Sequence, residues 1–280
     1  IWPNHLVIAK LLNIKCYLIN GNLYDNSKRL YPLLQSFNKF IFNKFDKILT
    51  SSLALKKTFN KIVNEEKIII TGDSRFDQIF YRKNNPINND YLKQFDNDNK
   101  YVIFGSIDSS DMDIIKSVIS NTMQTYKYIF VPHEIDSQNI KNIESIIDNM
   151  NLNYIHLSDS KNKELKKYDV IIIDSIGILL DLYQYAEIAY VGGGFTTGVH
   201  SVIEPLVQNC LVCYGPKIDI LDEAQEINSS NIGYMINSSE DLLNIFKFIE
   251  DEDELLKIQT KGYEYINNKL NATEKILKEF

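Results

Sequence analysis

The chain has 280 residues, 44% of them hydrophobic and 24% charged, with a formal net charge of −7. That composition supports one large or two medium packed domains and lacks the basic excess of a nucleic-acid binder. Three cysteines are too few for a disulfide scaffold and fit a reducing compartment. No run of about 18 apolar residues reads as a membrane-spanning helix.

The sequence opens on Ile1-Trp2-Pro3-Asn4, without methionine or signal-peptide pattern, and reads as a fragment whose upstream part is missing. Short β-rich runs follow at 15–19, 47–50, 67–71, 101–104, 128–131, 153–157, 170–173, 188–191, 211–214 and 234–236. Between them lie stretches with apolar residues at i, i+3 and i+4, among them 112–126, 140–150, 178–185 and 242–249. Strands alternating with helices predict βαβ units and a parallel sheet. The strands are continuous apolar runs, as expected where helices cover both faces. Residues 83–100 break the rhythm: they are rich in Asn and Asp, include Pro86 and carry no period. The expected division is therefore 1–84 as the remnant of a first α/β domain, 85–99 as linker, and 100–280 as a complete second α/β domain. The tail from 250 to 280 reads as polar amphipathic helices able to cross back onto the first domain.

The most informative segment is Tyr190-Val191-Gly192-Gly193-Gly194-Phe195-Thr196-Thr197-Gly198-Val199-His200-Ser201-Val202-Ile203-Glu204-Pro205. A strand ends in three glycines, and a helix is expected to open near His200–Ser201. Glycines allow close backbone approach, and a helix amino terminus offers N–H groups to a phosphate. His200 and Glu204, four apart, would share one helix face, with the glutamate placed to accept from ribose hydroxyls. A Gly-rich turn followed by a solvated glutamate is the alternative. Three more strand ends are candidates, because ligands in open parallel sheets lie beyond the carboxyl ends of the strands. His133 and Glu134 end one strand and read either as site residues or as an exposed turn. Gly105-Ser106 precedes Ser109 and Ser110, which read equally as phosphate contacts or as N-caps. Asp174-Ser175-Ile176-Gly177 has the same two readings. Cys210 and Cys213 have metal half-site spacing, but no second Cys/His pair completes it, so they read as buried core thiols.

Together these segments resemble, in order along the chain, the 3-deoxy-D-manno-octulosonic acid (Kdo) transferases of lipid A biosynthesis. Trp2-Pro3-Asn4 is similar to the family's Trp-Pro-Asn element, and Thr71-Gly72-Asp73-Ser74-Arg75-Phe76-Asp77 to its Thr-Gly-Asn-x-Lys-Phe-Asp signature. Gly105-Ser106 stands for Gly-Ser-Thr, and Val131-Pro132-His133-Glu134 for a longer Pro-Arg-His-Pro-Glu region. Asp174-Ser175-Ile176-Gly177 stands for Asp-Thr-x-Gly, with Ile178 in place of the usual glutamate. Gly192-Gly193, then His200-Ser201-Val202-Ile203-Glu204-Pro205, match Gly-Gly and His-Asn-x-x-Glu-Pro, and Tyr214-Gly215-Pro216 matches a following Gly-Pro.

The resemblance implies a GT-B fold of two Rossmann-like parallel-sheet domains with a cleft between them, the first domain incomplete here. It implies transfer of Kdo from CMP-Kdo to a lipid A precursor, metal-independent and without a cofactor, by a protein in peripheral contact with the cytoplasmic face of the bacterial inner membrane. His200, Ser201 and Glu204 would hold the nucleotide. Gly192, Gly193, Gly194, Gly105 and Ser106 would admit phosphate and sugar, and His133 and Glu134 would line the cytidine side. Asp174 and Gly177 would complete the site, and Arg75 would meet an anion near the hinge. The general base is expected upstream of Trp2. Departures are also visible. Asn20, Asn22 and Asn26 lie in a segment where the family carries two arginines, and Ser201 replaces an asparagine. A transferase or epimerase using another nucleotide sugar, or a degenerate nucleotide-binding module, are the alternative readings.

Overall fold

A computed structural model describes residues 1–95, 100–123 and 125–280, with the side chain of Ile249 also outside the description. Four residues of the expected linker, 96–99, and one within the expected helix 112–126 lie outside the described residues. The chain divides into two compact units, residues 1–78 with 267–280, and residues 79–266.

Unit 1 begins with α1 (Pro3–Leu11), β1 (Tyr17–Gly21), α2 (Pro32–Phe42), β2 (Lys47–Thr50), α3 (Leu53–Phe59), β3 (Ile68–Ile70) and the start of α4 (Ser74–Asn84). Proline opens α1 and α2, where its missing N–H costs no intrahelical bond. The Ser52 hydroxyl caps α3 by accepting from Leu55 N. The three strands form a parallel sheet in sequence order, over a core that includes Leu6, Phe42, Ile48, Phe59 and Ile68.

Unit 2 carries β4 (Tyr101–Ile107), α5 (Met112–Thr122), β5 (Lys127–Pro132), α6 (Ser137–Asn149), β6 (Tyr154–His156), β7 (Val170–Ile172) and α7 (Leu179–Leu182). It continues with β8 (Ala186–Val191), α8 (Ile203–Val207), β9 (Leu211–Tyr214), α9 (Asp222–Ser229), β10 (Gly233–Met235), α10 (Ser239–Glu250) and most of α11 (Glu252–Lys269). Seven parallel strands lie in the order β10-β9-β8-β4-β5-β7-β6. Every residue of β7 and β9 is buried, which is why these strands read as continuous apolar runs. Phe104, Tyr128, Phe130 and Tyr190 stack across the central strands in the main core.

The sheet grows outward from β4 in one direction through β5, β7 and β6, and in the other through β8, β9 and β10. The carboxyl ends of β4 and β8 therefore flank the topological switch point, the usual ligand position in such sheets. Both units are α/β with parallel sheets.

The last helix, α12 (Ala272–Leu277), packs within unit 1. The Asp77 carboxylate accepts from Asn271 N at 2.7 Å and from Thr273 N at 2.6 Å, occupying the amino-terminal N–H groups of α12. Lys47 Nζ donates to Glu279 Oε2 at 2.9 Å.

Candidate functional site

At the end of β4 the ladder slips: Gly105 pairs with Val131, but Ile107 pairs with Pro132. Ser106, between them, has φ 53°. Among the described non-glycine residues with positive φ every other is asparagine, which tolerates that region; the serine is the exception. Strain of this kind gathers at functional sites. His133 N donates to Ile107 O at 2.9 Å, bringing the end of β5 against this slip.

The turn after β4 is held by two carboxylates. Asp108 accepts from Ser110 N at 2.7 Å and from Thr196 Oγ1 at 3.0 Å. Burial pushes its carboxyl up, but these hydrogen bonds outweigh it and hold the pKa below the ordinary value. Asp111 is fully buried. It accepts from the Tyr190 hydroxyl at 2.6 Å, Asp108 N at 2.9 Å and Gly193 N at 3.3 Å. Burial raises its pKa despite those donors. Asp111 thus ties the β4 turn to β8 and to the glycine loop, a role that sequence reading missed. The sequence signal was the Asp108-x-x-Asp111 spacing.

The three glycines are accounted for by the protein's own backbone. A methyl group at Gly192 would lie 2.4 Å from Ser106 O, and one at Gly194 would lie 2.6 Å from Gly215 N. Gly193 adopts φ 82°, and a methyl group there would lie 2.9 Å from His200 Nε2. The loop closes through Gly198 N to Gly193 O at 3.0 Å and His200 N to Gly192 O at 3.3 Å.

His200 lies in this loop and not on a helix. The sequence pattern places a helix start at His200–Ser201 with His200 and Glu204 on one face; the structure corrects this, because α8 begins at Ile203. The residues before it belong to the glycine loop, which is tied by Val199 N to Lys217 O at 3.1 Å and His200 N to Gly192 O at 3.3 Å. Freed from a helix, the His200 ring stacks on His133, with centroids 4.0 Å apart and planes at 17°. Burial, followed by the charge of His133, lowers the His200 pKa against the opposing pull of Asp108. Glu204 sits in the first turn of α8. Burial raises its pKa, and a hydrogen bond from Ser201 and the charge of Arg82 partly offset this. The Tyr183 hydroxyl fills the space over Gly105: a methyl group there would lie within 2.3 Å of it. Lys217, which sequence reading also passed over, directly follows the Gly215-Pro216 motif. Its Nζ donates to Thr196 O at 2.6 Å, placing a cation beside the glycine loop.

The structure thus brings together Gly105, Ser106, His133, Gly192, Gly193, Gly194 and His200, with Ser201 and Glu204 on the segment that follows. Glu134 is exposed after β5, its carbonyl accepting from Asn139 Nδ2 at 3.3 Å. Asp174 is turned to the β6 edge, where it accepts from Ser158 N at 3.1 Å and Ser158 Oγ at 2.5 Å. Gly177 has φ 88°, and its carbonyl accepts from Arg82 Nη2 at 3.0 Å. Arg75, in unit 1, is held by Asp73 through Nε at 2.9 Å and Nη2 at 2.6 Å. Cys210 and Cys213 are buried thiols, and burial pushes both far up. Among the described residues no group of three or more His, Cys, Asp or Glu has metal-holding geometry.

Beside Asp108 a groove of about 340 Å³ opens between α5 and α6. Met112, Ile143 and Ile146 give it apolar walls, and Asn139, Asn142 and Lys116 give it polar groups. Its volume lies at the lower end of the range for small-molecule pockets.

The family model described as 3-Deoxy-D-manno-octulosonic-acid transferase (kdotransferase) matches residues 1–78. The 3-deoxy-D-manno-octulosonic acid transferase of Chlamydophila psittaci is 28% identical over 260 residues, covering 90% of this chain and 58% of that protein. Among solved structures, the C-terminal CMP-Kdo binding domain of WaaA from Acinetobacter baumannii matches with TM-score 0.54 and 16% identity, over 68% of this chain and 95% of that one. Anabaena HepE in complex with UDP matches with TM-score 0.62 and 11% identity, over 98% of this chain and 73% of that one. The first two curated relatives are covered over 58% and 63% of their own length.

Proposed function

We propose that this chain, homologous to the Kdo transferases along nearly its whole length, holds the nucleotide of CMP-Kdo at the carboxyl face of unit 2. The whole protein, in this reading, transfers Kdo to a lipid A precursor in lipopolysaccharide biosynthesis. The observation that carries it is the stacked His133–His200 pair beside the switch point of the sheet, where the ends of β4, β5 and β8 converge. The Glu204 carboxylate accepts from ribose hydroxyls. His200 and Lys217 face the phosphate as an uncharged donor and a cation. The α5/α6 groove takes the base, whose amide edge matches Asn139 and Asn142 and whose faces match Met112 and Ile146. The donor carries its own leaving group, CMP, and the reading includes no cofactor.

The acceptor is a lipid, and the reading places the protein at the cytoplasmic face of the bacterial inner membrane. The exposed apolar stripe of α2 supports it: Leu33, Leu34, Phe37 and Phe40 are exposed, Lys44 lies over the Phe40 ring, and Lys28, Arg29 and Lys39 are near in sequence.

The structural likeness to a UDP-bound protein favours one other reading, a transferase or epimerase for a UDP-sugar. Isothermal titration separates the two. CMP is expected to bind tighter than UMP, ADP and UDP. Equal or tighter binding of UDP moves the chain to the second reading.

A further inference from the structure

Beside this site lies a partly buried charged network built around the buried carboxylate of Asp181. Arg82 and Lys83 are consecutive residues at the end of α4, and they reach different elements of unit 2. Arg82 Nη2 donates to Gly177 O at 3.0 Å and to Asp181 Oδ2 at 2.8 Å, Asp181 being on α7. Lys83 Nζ donates to Val207 O, the last residue of α8, at 2.5 Å. Gln208, just after α8, donates from Nε2 to Leu180 O at 3.1 Å and so joins α8 back to α7. The short helix that carries Glu204 is therefore tied at its carboxyl end to α4 and to α7.

This network is poorly built as a pure stabiliser. The Asp181 side chain is 1% exposed, yet its Oδ1 is a buried oxygen without a hydrogen-bond partner, as is the Arg82 Nε nitrogen. A pair serving stability alone would close the second arm of the guanidinium fork on the second carboxylate oxygen. Buried polar groups left incomplete call for an explanation beyond stability. Arg82, paired with Asp181 through one carboxylate oxygen only, still acts on Glu204 and favours its ionised form.

We infer that Arg82, Lys83 and Asp181 are positioning residues for Glu204: Lys83 fixes the helix that presents it, and Arg82, balanced by Asp181, sets the charge it faces. The inference rests on the reading above, in which the Glu204 carboxylate accepts from ribose hydroxyls. The groups facing Glu204 are Arg82 from α4, the Tyr183 hydroxyl from the turn after α7, and Ser201 from the loop before α8. Burial keeps Tyr183 protonated well above the ordinary range. Arg82 is the one of these with a positive charge.

The test is the affinity of the 280-residue chain for CMP as a function of pH, in the parent and four variants. Ionised Glu204 is the binding form, so affinity falls below an acidic midpoint. Arg82→Gln removes a positive field and moves that midpoint to higher pH. Asp181→Asn removes the negative charge that balances Arg82 and moves it to lower pH. Lys83→Met weakens binding about tenfold at the plateau, without moving the midpoint, and Lys83→Arg restores most of it. A role in stability alone predicts weakened binding with one common midpoint, and that result overturns the inference. Carboxyl-carbon NMR titration of Glu204 without nucleotide reads the same opposite displacements. Loss of CMP binding with these displacements intact would sink the nucleotide reading and leave the positioning network standing. Parallel Glu204 titrations in the parent, Arg82→Gln and Asp181→Asn would sink the network itself. Where Arg82→Gln fails to fold, Asp181→Asn alone decides the sign, because its change preserves shape.

Discussion

At the scale of single residues, the site is defined by what each side chain gave up to reach it. His200 trades solvent for the face of His133, and burial lowers its pKa below the ordinary 6.5. A histidine with a depressed folded-state pKa takes up its proton more readily in the unfolded chain. Its contribution to stability is complete above the unfolded value and is lost as pH falls through the folded one. The parent chain is therefore expected to lose thermal stability below about pH 6.5. A His200→Phe variant keeps an aromatic face for His133 and removes the proton, so it should lose less over the same interval. Parallel melting curves from pH 7.5 to 5 in the two proteins would rule this account of His200 out. His200, Glu204 and the glycines were visible in the sequence as a spacing. Their geometry was not: through His200 the chain belongs to the glycine loop, closed by His200 N to Gly192 O, and the helix opens only at Ile203. Asp111 was invisible for a different reason. A carboxylate after a strand looks like a solvated cap until the Tyr190 hydroxyl and Gly193 N, both from a distant segment, are seen to join the local Asp108 N on it.

Among the elements, strands were the most legible, since each buried run carries its own apolar signature. Helix ends were less so. The apolar pattern of 178–185 reads as one helix, but the α-helix stops at Leu182 and a 3-10 turn takes residues Tyr183–Tyr185, which place the Tyr183 hydroxyl over Gly105. The asparagines show a pattern that composition hides. Asn13, Asn151, Asn209 and Asn231 follow helices in the left-handed conformation, and Asn271 adopts it ahead of α12. Asparagine serves there where glycine usually would. The element that matters most for the proposed location is α2. Leu33 is 96% exposed and Phe37 and Phe40 are each 54% exposed, on one helical face. Lys44 Nζ lies 4.3 Å from the Phe40 ring centroid, so apolar and basic groups are adjacent. The chain is expected to co-sediment with vesicles containing anionic lipid, and Leu33→Ser/Phe37→Ser should release most of it. Undiminished sedimentation of the double variant, or none of the parent, contradicts a membrane role for this face.

For the whole molecule, the alternation of strands and helices was enough to give α/β architecture with a parallel sheet, while the strand order was not. Nothing in a run such as 186–191 announces that it crosses to the far side of β4 and pairs Gly105 with Val191. The same crossing creates the switch point that gathers the candidate site, so the site could be named residue by residue before it could be assembled. The assignment of the final residues to unit 1 depends on Asp77 receiving the start of α12, a contact across almost the whole sequence. The account's central claim is that a cytidine nucleotide binds where His133 meets His200. The chain contains four histidines, His5, His133, His156 and His200, so imidazole NMR of a histidine-labelled sample reads each one. His156 is an internal control in unit 2, held by Glu144 at 2.7 Å on the β6 edge. On titration with CMP, the His133 and His200 signals are expected to shift together and saturate, while those of His5 and His156 stay in place. Saturating CMP that leaves His133 and His200 unmoved, or that moves His156 or His5 instead, would contradict the claim.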